Sequence, residues 1–338
     1  MDLNLIWFLL VGVLIIGYAI LDGFDLGVGV IHLFTKDESE KRIQMNAIGP
    51  VWDGNEVWLL TGGGALFAAF PIVYATVFSG FYIAFILLLA ALIFRAVSFE
   101  FRGKVNSIRW KKLWDIAFGL GSLLPSILFG VAIGNILRGI PIDENGNFIG
   151  SFVDLLNPYS ILIGLLSLSM FTLHGAIYLT TKSEGELRDR MIKLISKIWT
   201  IFVLLYVVAT FFSIFEAPYL FDRILNNPLF WILFILLLGS VLYLPVVVKS
   251  AKFFLSFILS SITIASVIGL TAVSLFPRLV PSNINLNYSL TIYNSSSTER
   301  TLFTMLIIAL IGMPIVIAYT IFIYRVFKGK VEITKESY

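Results

Sequence analysis

Four carboxylates sit inside or beside two long apolar runs near the start of the chain: Asp22, Asp25, Asp53 and Glu56. A carboxylate in a bilayer is costly and needs a partner, a water file or a task. Asp22 and Asp25 are three residues apart, as are Asp53 and Glu56, so each pair shares one helix face. Three kinds of chemistry suit such a set. It can form a water-lined proton entry, it can hold a cation, or it can pair with Arg95 and lock the fold. For Asp53 a plainer role is also open, because a carboxylate near a helix N-terminus is favoured by the unpaired N–H groups there. The same stretch carries Trp52, Asn55, Trp58 and the run Gly62, Gly63, Gly64. The tryptophans can anchor at an interface or pack against a cofactor. The glycines allow close helix approach, and no Lys–Ser or Lys–Thr follows them as a phosphate loop needs.

Other reactive types are scarce. The chain has 2 His, His32 and His174, and 0 Cys. Disulfides, thiol chemistry and thiolate-held iron–sulfur clusters are therefore excluded. A bis-histidine haem would need both rings in facing positions, and nothing in the spacing pairs them. No metal site is expected, and neither histidine is expected to be a ligand.

The elements that must hold these acids are membrane spans. Hydrophobic residues make up 58% of the 338 and charged residues 13%, with a mean hydropathy of +0.94. A soluble domain has about 45 to 50% apolar and about 25% charged residues. Nine apolar runs approach the roughly 17 to 25 residues that cross a hydrocarbon core. They fall at about 6–30, 51–70, 75–94, 114–137, 158–179, 199–215, 229–248, 253–276 and 302–324. The expected fold is all-α: one polytopic transmembrane domain over residues 1–338. A polar turn around Lys36 to Arg42 joins the first two runs, and no cleavable leader is expected.

Nine spans put the two ends on opposite sides. Twenty of the 24 basic residues fall after runs one, three, five and seven and in the tail; Arg138, Arg223, Arg278 and Arg300 fall on the other side. The positive-inside rule then places the C-terminus in the cytoplasm and the N-terminus outside. The connection 95–112, with Arg95, Glu100, Arg102 and Arg109, reads as a solvated inner loop. The outer segment 138–157 is rich in Gly and Asn, and the outer segment 277–300, long and polar, reads as a surface cap or a subunit contact. At about 1.5 Å per residue, Asp25 lies roughly 7 Å and Asp22 roughly 12 Å from the inner end of run one. All four acids then cluster in the cytoplasmic half, with the two pairs able to face each other. A net charge of +3 spread over short loops gives no footprint for nucleic acid.

The stretch Ile48–Pro71, with Trp52, Asp53, Gly54 and Asn55 in it, resembles subunit II of the cytochrome bd-type quinol oxidases. So do Asp22–Gly29, Phe94–Arg95, Phe99–Arg102, Arg109–Trp110, Trp114–Asp115, Gly130–Asn135, Leu156–Pro158 and Phe276–Pro277. The resemblance covers essentially the whole chain. It implies nine helices in two four-helix bundles plus a peripheral helix. It implies a partner, the haem-bearing subunit I, holding two haems b and haem d, with no haem on this chain, and in some relatives a small single-helix subunit. It further implies quinol as the electron source, lipid around the complex, and oxygen reduced to water with cytoplasmic protons, so that voltage arises without pumping. By the same resemblance Asp53 is placed in proton delivery toward subunit I, with Asp22 near that route. Asp25 and Glu56 complete the candidate path, Glu56 standing where some relatives have Gln. Trp52, Asn55, Trp58, Arg95 and Glu100 are candidates for structure or interface. A stand-alone ion-coupled transporter and a purely structural assembly subunit are the competing readings.

Overall fold

The computed structural model describes residues 1–222 and 224–333; Arg223 and Lys335, two of the basic residues counted above, lie outside them. Eleven α-helices account for most of the chain. They are α1 Leu3–Phe34, α2 Glu38–Ile48, α3 Trp52–Ala69, α4 Pro71–Gly80, α5 Tyr82–Phe101 and α6 Ile108–Arg138, followed by α7 Pro158–Lys182, α8 Gly185–Glu216, α9 Pro228–Lys249, α10 Phe253–Leu275 and α11 Glu299–Val326. Among the described residues, eight of these are long and apolar enough to cross a membrane: α1 and α5 to α11. The molecule is an all-α polytopic membrane protein. Among the described residues the one sheet is a two-stranded pair, β1 Arg278–Val280 and β2 Leu290–Thr291.

Local sequence explains where the helices start. Asp2, Asp37, Asn157, Asn227 and Thr298 each accept a first-turn N–H with the side chain. Such caps satisfy donors that the helix itself leaves unpaired. Pro158 and Pro228 follow two of these caps, where a missing N–H costs nothing.

Four expectations change. Run three is two helices, since the chain breaks at Phe81 between α4 and α5. Two apolar helices in tandem look like one run in a hydropathy window. The polar turn after run one is largely helical, as α2. The inner loop shrinks to residues 102–107, and Arg95 lies inside α5 with no exposure. Finally, α1 runs on to Phe34, which leaves Asp25 about 14 Å and Asp22 about 18 Å from its C-terminal end.

Helix α1 is the centre of the packing, against α3, α6, α7, α10 and α11. Its approach to α7 is closest at Gly27 and Gly175. A Cβ on Gly175 would fall 2.5 Å from the Gly27 carbonyl carbon and 2.8 Å from its Cα. Only glycine lets two backbones meet this way. Gly63 and Gly64 on α3 differ, because nothing in the chain lies within 4 Å of where their Cβ would be.

At the end of the bundle nearest the N-terminus, the segments 138–157 and 277–300 pack together as a cap. Ile140 bridges to Ser282, and Ser282 donates to the Ile142 carbonyl at 2.8 Å. Ile140, Ile142, Val280, Leu290 and Ile292 bury themselves there against Trp7, Phe70 and Leu302. At the opposite end Asp115 accepts from three cations or donors: Lys41 at 2.7 Å, Arg102 Nε at 2.6 Å and His32 Nε2 at 2.9 Å. Arg102 also grips both oxygens of Glu38 at 2.8 and 2.9 Å. This hub ties α1, α2, α5 and α6, so Arg102 is a buried structural group rather than a solvated loop charge.

Candidate functional site: a buried acid cluster

Asp22, Asp25 and Arg95 form the core of the site, and none has any exposure. Arg95 donates from Nη1 to Asp22 Oδ2 at 2.9 Å and from Nη2 to Asp22 Oδ1. The fork-to-fork geometry suits a guanidinium and a carboxylate. Mutual attraction in a low-dielectric interior then offsets two large desolvation costs.

Asp25 stands 4.0 Å from Arg95, beyond hydrogen-bond length. Its Oδ2 accepts from Asn55 Nδ2 at 2.7 Å. Its Oδ1 is buried with no hydrogen-bond partner among the described residues, as are Arg95 Nε and the Tyr18 hydroxyl. Asn55 also donates to the Leu21 carbonyl at 3.0 Å and accepts from the Tyr324 hydroxyl at 2.9 Å. One cation therefore faces two carboxyls, one fully engaged and one half engaged.

The two predicted acid pairs do not face each other. On α3 the residue turned toward Asp25 is Asn55. Asp53 is exposed on the surface of the chain, and Glu56 is partly buried within electrostatic reach of Arg95, Asp22 and Asp53. Along α3 the exposed positions are Asp53, Gly54, Val57, Leu60, Thr61, Gly64 and Phe67, one continuous helical face. Val51 is the residue before the helix and makes no side-chain cap, which leaves Asp53 in the first turn near unpaired N–H groups.

The remaining candidates separate by role. Trp52 stacks flat on Phe99 at 4.9 Å and so packs inside the chain. Trp58 lies against Gly17, whose missing Cβ makes room for the ring. Arg95 is the structural partner of Asp22. Glu100 is exposed. His174 spends both ring nitrogens, on Ser260 Oγ at 2.7 Å and the Ile20 carbonyl at 3.1 Å, and stacks on Phe257. His32 is committed to Asp115 through Nε2. These two rings do not fit axial ligation of a haem. Among the described residues no group of three or more His, Cys, Asp and Glu could hold a metal ion.

Sequence reasoning missed Tyr324, Tyr18 and the Asp115 hub. Tyr324 is 269 residues from Asn55 along the chain, and no spacing rule links them. The only available signal was a tyrosine close to the C-terminal end of the last span.

The profile of the family described as cytochrome bd terminal oxidase subunit II matches residues 3–327. The chain belongs to that family. Cytochrome bd-I ubiquinol oxidase subunit 2 of Escherichia coli K12 is 39% identical over 368 residues, covering 99% of this chain and 96% of that one. Cytochrome bd ubiquinol oxidase subunit 2 of Bacillus subtilis is 39% identical over 331 residues, covering 98% and 97%. The solved bd oxidase from Geobacillus thermodenitrificans has a chain of the same fold, with a TM-score of 0.78 over 97% of this chain and 99% of that one, at 18% identity. The chain is thus the non-haem subunit II of a bd-type oxidase, working beside a haem-bearing partner in a bacterial membrane. Membership in this family sets aside the stand-alone transporter.

Proposed function

We propose that this chain is the proton-delivering half of a heteromeric quinol:oxygen oxidoreductase, and that electrons and oxygen are handled by haems b and d on subunit I. In this reading α1, α3 and α5 to α11 are nine spans of a single transmembrane domain, arranged as two four-helix bundles with α11 peripheral. The N-terminus faces outward and the C-terminus the cytoplasm, which the bias of basic residues supports. Protons enter from the cytoplasm, so reducing oxygen builds voltage without pumping. A small single-helix subunit fits the same assembly.

The observation that carries this reading is the asymmetry between Asp22 and Asp25. Arg95 neutralises Asp22, so the pair is closed to exchange. An ionised Asp25 would add a net negative charge to a fully buried site, with Oδ1 lacking any donor. Taking up one proton removes that charge, and releasing it restores it. An intramembrane acid in such a position reads as a proton site. Asp53, in the first turn of α3, and Glu56, within electrostatic reach of Arg95 and Asp22, suit proton entry.

The exposed face of α3 supports the partnership. Aspartate, threonine and two glycines are poor lipid contacts, whereas small residues suit a packed helix–helix surface. Subunit I on this face would bring Asp53 to the boundary between the two chains.

Purification tests the division of labour. Expressed alone, the chain should be colourless. Expressed with its partner, it should co-purify with haem and consume oxygen when given quinol. Stoichiometric haem on the isolated chain, lost on replacing His32 or His174, would contradict the reading.

A further inference from the structure

We propose that Tyr324 is a positioning residue: through Asn55 it fixes which oxygen of Asp25 exchanges the proton. This rests on the proton-delivery reading above and adds a residue from the last span to it.

The bonding of Asn55 settles its orientation. One end of its amide faces two acceptors, Asp25 Oδ2 at 2.7 Å and the Leu21 carbonyl at 3.0 Å. That end must be the NH2 group, since only it donates. The other end is the carbonyl, and the Tyr324 hydroxyl donates to it at 2.9 Å. A flipped amide would set its oxygen against a carbonyl and a carboxylate at once. Tyr324 holds the productive orientation from the far side, its ring meeting Phe24 edge-on at 6.5 Å.

The consequence falls on Asp25. Its Oδ2 already accepts an N–H, so a proton placed there would point at another donor. The proton therefore goes to Oδ1, the atom with no partner among the described residues. The groups within electrostatic reach of this carboxyl come from five helices. They are Asp22 on α1, Arg95 on α5, Glu56 and Asn55 on α3, Tyr178 on α7 and Tyr324 on α11. Of these, only Asn55 donates a hydrogen bond to Asp25, and Tyr324 is what keeps it donating. Helix α11 is the least buried span in the chain, yet it completes the acid site.

The test uses the intact oxidase carrying Tyr324→Phe, with Asp25→Asn as a reference. Tyr324→Phe should keep haem content and the KM for quinol. Its kcat near neutral pH should fall about three- to tenfold. Its pH profile should move toward the alkaline side by about half to one unit, because a weakened donor holds the carboxylate less well. A normal kcat and profile in Tyr324→Phe beside a slow Asp25→Asn would overturn the positioning role and leave proton delivery standing. Normal turnover in Asp25→Asn would overturn both. If Tyr324→Phe does not assemble, Asn55→Val decides: it removes the amide through which Tyr324 acts on Asp25, an alkaline profile supports the relay through Asn55, and an unmoved one overturns it.

Discussion

Arg95 on α5 grips Asp22 on α1 through both terminal nitrogens, and neither side chain has any exposure. The pair joins two spans and leaves Arg95 4.0 Å from the second carboxyl, Asp25, the exchanging acid of the proposed function. Structure and function meet in that division.

Breaking the pair from one side leaves a bare charge in the interior. Arg95→Leu or Asp22→Leu should cost about 3 to 5 kcal/mol, whereas the double replacement should recover most of that loss. Thermal unfolding of the purified complex checks this. Equal destabilisation in the single and double variants would mean that the ion pair is not the unit of stability.

The contact of α1 with α7 has no room for a methyl group. Gly175→Ala would press a Cβ onto the backbone at Gly27 and Val28. Forced separation of packed elements costs about 1 to 3 kcal/mol, so the melting temperature of the complex should fall. Gly64→Ala has free space within the chain and should leave the isolated chain unaffected. A loss of co-purifying haem in Gly64→Ala would mark α3 as the partner face.

Much of this architecture was legible in the chain itself. Hydropathy found every long helix, and the scarcity of His and absence of Cys pointed the redox centre elsewhere. The errors have physical causes. Arg95 reads as the first residue of a loop because a charge normally ends an apolar run; its partner, Asp22, lies 73 residues earlier. The break at Phe81 is hidden because both flanking helices are apolar. Asn55 faces Asp25 in place of Asp53 or Glu56 because helix rotation about its axis is set by packing against α1, which no spacing reveals. Tyr324 and the Asp115 hub depend on contacts distant in sequence.

Topology is checked with reporter fusions. Alkaline phosphatase joined after Gly150, in the outer cap, should be active, and joined after Glu186, at the start of α8, should be inactive. The basic bias motivates both expectations. The reverse pattern would invert the direction of proton entry.

The most direct measurement is oxygen reduction by the intact complex carrying Asp53→Asn, at full haem content and in sealed vesicles. Asn and Asp serve almost equally at a helix start, so a purely structural Asp53 tolerates the change. An amide does not exchange protons at a useful rate, so a delivering Asp53 does not tolerate it. The account predicts unchanged assembly and quinol binding, an oxygen-consumption rate lowered by at least about tenfold, and electron transfer that stalls where a proton must be taken up. Normal turnover with normal voltage generation in Asp53→Asn would contradict it.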